Sequence, residues 1–474
     1  MLNVSEYPRA KKVFEFFEEI CKIPHGSENT DGITKYLIDF AKERGLSYFC
    51  DGANNVIIRK PATLGYEKRP SIVFQGHTDM VADKTPECKI DMMREGLDIY
   101  RDGDFIRARG TTLGGDDGVA IAYALAVLDS NDIPHPDFEA LFTSDEEIGL
   151  IGATALDTDN LNGRLMVNID SDAEGIFTVG CAGGIRMDAI KTHTQKENLP
   201  LMKLSVGGLL GGHSGVEIDK GRINAIKEVA KILAECDSIK LCELKGGNAD
   251  NAIPRDAYAT FYAPSEFKEM LIEKIIPAAE KEYRLTEPDA KVTLIDTNTS
   301  GEVLSVEDTK CILSFTNSLP SGVLAMSSEI EGLVETSMNL GIIDVSCGKA
   351  ALCASVRSSK EDKKNEVREN VKSLAKKFGF SVGERGDYPA WEYKRDSYLR
   401  EVMREVYCEL YSKEPEIITI HAGLECGIFS NKMPTLDCVS IGPDNFDIHT
   451  PEERLSISST VRVFEYLKAL LSRI

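Results

Sequence analysis

SIVFQGHTDM, Ser71 to Met80, is the stretch from which the rest of the chain can be read. The apolar run SIVFQ ends at Gly76 and His77, with Asp79 two residues further on. A short apolar run bounded by polar residues reads as a buried strand. In open α/β sheets the carboxyl ends of such strands carry the sites. The same arrangement recurs downstream. FEALFT precedes Glu146 and Glu147 in FTSDEEIG (Phe142–Gly149), and RLMVNI precedes Asp170 in NIDSD (Asn168–Asp172). LGGDDG (Leu113–Gly118) is different: a glycine loop leads into the apolar helix GVAIAYALAVLDS. Asp116 and Asp117 therefore sit at a helix start, where the positive end of the helix dipole suits carboxylates. A fifth stretch, FDIHTPEERL (Phe446–Leu455), carries His449 far down the chain.

Taken together, the five stretches supply two histidines and at least three carboxylates. That set can hold two divalent cations a few ångströms apart, with an activated water between them. Imidazole and carboxylate oxygen suit zinc and tolerate manganese or cobalt. On this reading His77 and His449 each cap one metal, Asp116 bridges the pair, and Asp170 and Glu147 complete the two shells. Asp79 points to the same side of an extended strand as His77 and can orient its imidazole. Glu146 adjoins a ligand but faces the cavity, where it can take a proton from the attacking water and pass it to a leaving amine. Singly, a histidine near a strand end or an acidic pair is more often structural or a helix cap. The coincidence of five stretches is what points to a site.

The order GHTDMV, GGDDG, SDEEIG, NIDSD, GGHSG and a late IHTPEE resembles the co-catalytic zinc peptidase family, and most of all its aminoacyl-histidine (Xaa-His) dipeptidase subgroup. ICKIPHGS, TSDEEIGL, GGHSGVEI, GGNADNAIP and HAGLECGIF carry the likeness to that subgroup, which runs from Cys21 to Ile457. The resemblance implies His77 and Asp170 as ligands of one zinc, Glu147 and His449 of the other, and Asp116 as the bridge. It implies Glu146 as general base and Asp79 as the residue that orients His77. It also implies a cis peptide bond between Asp116 and Asp117. His213, set among glycines in GGLLGGHSG, matches the histidine that binds the scissile carbonyl oxygen and stabilises the oxyanion. Asn251 matches a substrate-binding asparagine. Arg357 ends a strand, where its fork can clamp the substrate carboxylate. Gly423, Leu424 and Glu425, in the loop His421–Gly427, are further binding candidates. One departure stands out: Asp219 occupies a position where some members of the subgroup carry histidine, which bears on substrate preference and not on the metal site. His25, His135 and His193 lie outside the matching motifs and read as structural.

Composition fits this reading. The chain has 474 residues, long enough for two domains with substantial cores. With 55 Lys and Arg against 77 Asp and Glu, the net charge of -22 argues against nucleic acid or an anionic membrane as partner. The twelve cysteines include no CxxC pair, which speaks against a disulfide framework or a thiolate zinc cluster and for a reducing, cytosolic compartment. Cys426, near the suspected site, reads as a small buried apolar residue. The amino-terminal segment has no apolar core of a secretory signal, and no apolar run approaches a membrane span.

The predicted fold class is α/β in two domains. Residues 1–184 and 385–474 form a discontinuous catalytic domain built on a parallel sheet. Residues 185–384 form an inserted α+β lid of two halves, for which the resemblance implies a homodimer contact. The expected activity is two-metal hydrolysis of unblocked dipeptides, Xaa-His peptides such as carnosine among them. The other readings are an N-acyl amino acid amidohydrolase or tripeptidase on the same scaffold, a non-catalytic metal- or peptide-binding protein, and a two-metal phosphoesterase. The intact Glu146 opposes the non-catalytic reading, and the lack of clustered Arg or Lys near the five stretches opposes the phosphoesterase.

Overall fold

A computed structural model describes residues 6–474 apart from 329, 331 and 347. Cys347 and the first five residues of the amino-terminal segment thus lie outside the described residues. The chain divides into two compact units, one of Met1–Cys181, Tyr393–Thr419 and Leu424–Ile474, the other of Ala182–Glu392 and Ile420–Gly423.

The first unit is built on an eight-stranded sheet. Its order is Ser47–Cys50, Val56–Lys60, Phe138–Thr143, Ile72–His77, Leu165–Asn168, Asp437–Ser440, Ile176–Cys181 and Glu416–Ile420. The four middle strands run parallel, and pairing is antiparallel on both sides of them. The sheet is therefore mixed, where the sequence suggested a parallel one. Ile72–His77 and Phe138–Thr143 are buried at every residue, as strands covered on both faces must be. Gly115–Asp129 is a helix buried from Gly118 to Leu128, and its Tyr123 stacks on Phe464 of the carboxy-terminal helix Ile457–Arg473.

The second unit is built on an antiparallel sheet of nine strands, beside which Gly212–His213 and Ala252–Ile253 form a separate short pair. The two strand-helix runs expected as separate halves merge, because Lys240–Gly246 pairs with Val334–Ser346 across about a hundred residues of chain. The helices Ala225–Leu233, Val306–Ser318 and Glu361–Phe378 turn apolar faces into its core. The strand Ser381–Tyr388 pairs with Gly183–Thr192 and belongs wholly to this unit. The expected boundaries at 184 and 385 therefore move to 181 and 393, and the short piece Ile420–Gly423 joins the second unit.

Candidate functional site

The three strands read from the sequence end side by side. His77 closes Ile72–His77, Glu146 and Glu147 follow Phe138–Thr143, and Asp170 follows Leu165–Asn168. Phe138–Thr143 and Leu165–Asn168 flank Ile72–His77 in parallel register. Parallel strands deliver their carboxyl ends to the same edge, so the three ligand groups meet without any long-range coincidence. Gly114 has φ of 68°, and Asp116 and Asp117 keep non-helical dihedrals, so Asp116 stands on the turn that leads into the buried helix. The Asp116–Asp117 peptide bond is cis.

Asp116 lies between the two histidines. His77 Nε2 is 3.0 Å from its Oδ1, and His449 Nε2 is 3.2 Å from its Oδ2. Asp170 Oδ1 is 3.5 Å from His77 Nε2, and Glu147 Oε1 is 3.0 Å from His449 Nε2. Two donor groups result, His77–Asp116–Asp170 and Asp116–Glu147–His449, which share Asp116 through opposite oxygens. A third combination brings Glu146 and Glu147 together with His77.

These residues suit cations better than they suit one another. Glu147 Oε1 is buried 3.0 Å from His449 Nε2, as expected where lone pairs converge on a common point. Burial works against a charge on His77, yet Asp116, Asp170 and Asp79 outweigh it and raise its pKa well above the ordinary value. Hydrogen bonding to Asp116 and then Glu147 raises His449 to about 10. Burial pushes Asp170 up to about 6 and Glu146 well above the usual carboxylate range, with neighbouring carboxylates adding to both. A set of donor groups that holds extra protons so firmly would offer the same negative field to a metal ion.

Asp79 meets the His77 ring mainly through its backbone. His77 Nδ1 is 2.9 Å from the backbone oxygen of Asp79 and 3.5 Å from its carboxylate. The carboxylate accepts from Ser27 Oγ at 2.8 Å and from the backbone N–H groups of Glu146 at 2.9 Å and Glu147 at 3.3 Å. Asp79 thus ties the strand bearing His77 to the loop bearing Glu146. Ser27 closes the ICKIPHGS motif, but no role was read for it from the sequence. Glu453 was also missed. Its carboxylate accepts from the backbone N–H groups of Leu113, Gly114, Gly115 and Asp116.

In the second unit His213 Nδ1 accepts from the N–H groups of Gly215 and Val216, at 3.2 and 3.3 Å. That fixes the proton on Nε2 and leaves the ring a donor there. Arg357 is buried, donates from Nη1 to Tyr388 Oη at 3.0 Å, and keeps a buried Nε without a hydrogen bond among the described residues. Gly423 packs on the Tyr388 ring, where a Cβ would approach to 2.8 Å. Asn251 and Asp219 are exposed. Glu425, in the first unit, departs from expectation. It is fully buried, with Oε2 accepting from Gln75 Nε2 and Thr143 Oγ1. A side chain so enclosed is not placed to meet a substrate, and burial raises its pKa to about 7.

Residues 73–473 match the model of the peptidase family M20/M25/M40. The chain is 35% identical to the cytosol non-specific dipeptidase of Escherichia coli over 473 residues, which covers 98% of this chain and 97% of that one. The crystal structure of aminoacylhistidine dipeptidase from Vibrio alginolyticus superposes with a TM-score of 0.90 at 36% identity, over 99% of this chain and 97% of that one. Aminopeptidase PepT from Bacillus cereus shares the fold, with a TM-score of 0.57 at 17% identity and 98% of each chain covered.

Proposed function

The chain belongs to the peptidase family M20/M25/M40, and from that premise we propose a cytosolic enzyme that hydrolyses unblocked dipeptides at a pair of divalent cations. It is a metallopeptidase of the dipeptidase kind. The observation that carries the two-ion reading is the pair of donor groups sharing Asp116. His77 and Asp170 would hold one ion and Glu147 and His449 the other, with Asp116 shared between them. Two imidazoles and three carboxylates favour zinc, with manganese or cobalt as substitutes.

Cations held there would polarise the scissile carbonyl and lower the pKa of the attacking water. Glu146 stands beside this pair and accepts the proton of that water, then delivers it to the departing amine. Asp79 sets the geometry by holding both His77 and the backbone of Glu146. His213 donates from Nε2 to the substrate carbonyl oxygen, Arg357 binds the substrate carboxylate, and Asn251 and Gly423 contribute further contacts. These roles rest on the family resemblance and on the surroundings of each residue in the second unit. A homodimer through the second unit belongs to the same reading. So does cytosolic location, supported by the name of the E. coli relative. Among the described residues no helix is long and apolar enough to cross a membrane.

The test is a substrate panel of carnosine, Gly-His, Ala-Ala, a tripeptide and N-acetyl-histidine, assayed with metal-free protein, with added zinc or manganese, and with Glu146→Ala. Metal-dependent cleavage of the dipeptides alone, lost in the variant, is expected. Preferred cleavage of the tripeptide or the acetylated compound would overturn the substrate class.

A further inference from the structure

Behind the ligands lies a second, wholly buried row of polar side chains. Gln75 precedes His77 by two residues and Asn168 precedes Asp170 by two, so each points to the same face as the ligand that follows it. The two are register partners in adjacent parallel strands, as are His77 and Thr143. Asn168 Nδ2 donates to Gln75 Oε1 at 2.7 Å. Gln75 Nε2 donates to Glu425 Oε2 at 2.5 Å, and Thr143 Oγ1 donates to the same oxygen at 2.7 Å. Glu425 opens the helix Glu425–Lys432, hundreds of residues away in sequence, and accepts directly from two of the strands, with Asn168 of the third linked to it through Gln75. Its other oxygen, Oε1, is buried without a hydrogen bond among the described residues.

We propose that Glu425 is a positioning residue that holds the strand ends bearing His77 and Asp170 in register, and thereby sets the affinity of the cation bound by His77, Asp116 and Asp170. The proposal rests on the metal assignment given above. Groups that hydrogen-bond behind a ligand commonly govern metal affinity, because they fix the direction of its lone pair before the ion arrives. Removing the Glu425 acceptor leaves Gln75 Nε2 and Thr143 Oγ1 to find new partners in a buried space, and both lie on strands whose ends carry ligands. The effect is one-sided. Gln75 and Asn168 stand two residues before the two ligands of one ion, whereas Thr143 stands four residues before Glu147 and no member of the row leads to His449. The backbone of Glu147 is held by Asp79.

The experiment is calorimetric titration of zinc into metal-free full-length protein. Wild type takes up two ions. Glu425→Ala should weaken one of them roughly 10- to 100-fold and leave the other unchanged. Glu425→Gln, whose amide oxygen can accept both hydrogen bonds, should titrate close to wild type. Thr143→Val, which removes one donor from the row, should weaken the same ion to a smaller extent and serves as the decisive variant if Glu425→Ala does not fold. His449→Ala should weaken the other ion and so identifies which event is which. Equal weakening of both ions, a Glu425→Ala curve like wild type, or a Gln variant as weak as Ala would overturn the proposal. Uptake of fewer than two ions by wild type would overturn the metal assignment, and this inference with it.

Discussion

Glu453 Oε1 accepts the backbone N–H of Gly115 at 2.8 Å, and that contact binds the loop of His449 to the loop of Asp116. The same carboxylate takes the N–H groups of Leu113, Gly114 and Asp116, so one side chain satisfies four successive donors ahead of the buried helix. Glu453 follows His449 by four residues, and Gly115 immediately precedes Asp116. Asp116 and His449, separated by more than three hundred residues, are thereby fixed to a common support.

Glu453→Ala should therefore destabilise the protein by about 3 kcal/mol, since it strands buried N–H groups that a charged acceptor had satisfied. Urea unfolding measures it. Gly115→Ala should act in the same direction, because its Cβ would meet Asn445 Nδ2 at 2.9 Å and Glu453 Oε1 at 3.1 Å. Wild-type stability in both variants would contradict this role.

Glu146→Gln should lower kcat by about 100- to 10,000-fold with little change in KM or in bound metal. Parallel measurement of steady-state kinetics and of metal content by mass spectrometry separates the two effects. A variant that loses metal in proportion to activity would make Glu146 a ligand and not the proton carrier.

Removal of metal should cost stability. Asp170 and Glu146 are carboxyls whose burial opposes their charge, and Asp116 and Glu147 crowd the same space. Cations that bind the folded chain alone stabilise it by mass action, about 4 kcal/mol at a thousandfold excess over Kd. Chelation should lower the melting temperature, and zinc should restore it in a saturable manner. An unchanged melting curve would argue against an occupied site.

His421 gives a pH dependence of predictable sign. Burial, with Arg357 nearby, lowers its pKa from 6.5 to about 4. Between those values the unfolded chain takes up a proton that the folded chain refuses. The stability contributed by neutral His421 is therefore complete above about pH 6.5 and is lost as the pH falls toward 4. His421→Gln keeps a polar partner for Ser337, whose Oγ lies 2.7 Å from Nε2. Over this window wild type should lose stability more steeply than the variant, by up to about 1.4 kcal/mol per pH unit. Parallel slopes would contradict the shift.

The parts legible in the sequence were those written locally. His77, Glu146, Glu147 and Asp170 stand just beyond apolar runs, and a run that ends in a ligand announces both the strand and the edge it reaches. Asp116 was marked by its glycines. What escaped depends on which strands become neighbours. Gln75, Thr143 and Asn168 look like ordinary polar interruptions of apolar segments until the parallel register sets them together. Glu425 resembled a loop residue facing substrate because only packing reveals that it is enclosed. Glu453 could not be told from Glu452 beside it. The single nine-stranded sheet was read as two halves for the same reason, since the pairing of Lys240–Gly246 with Val334–Ser346 leaves no trace in either segment.

The central claim is that peptide hydrolysis requires two ions on the residues grouped about Asp116. Its most direct test is to titrate metal-free protein with zinc while following cleavage of Ala-Ala. Activity should be absent at the start, rise with added zinc and reach its plateau at two equivalents per chain, and Asp116→Ala should stay inactive throughout. Full activity without metal, or a plateau at one equivalent, would contradict the two-ion account.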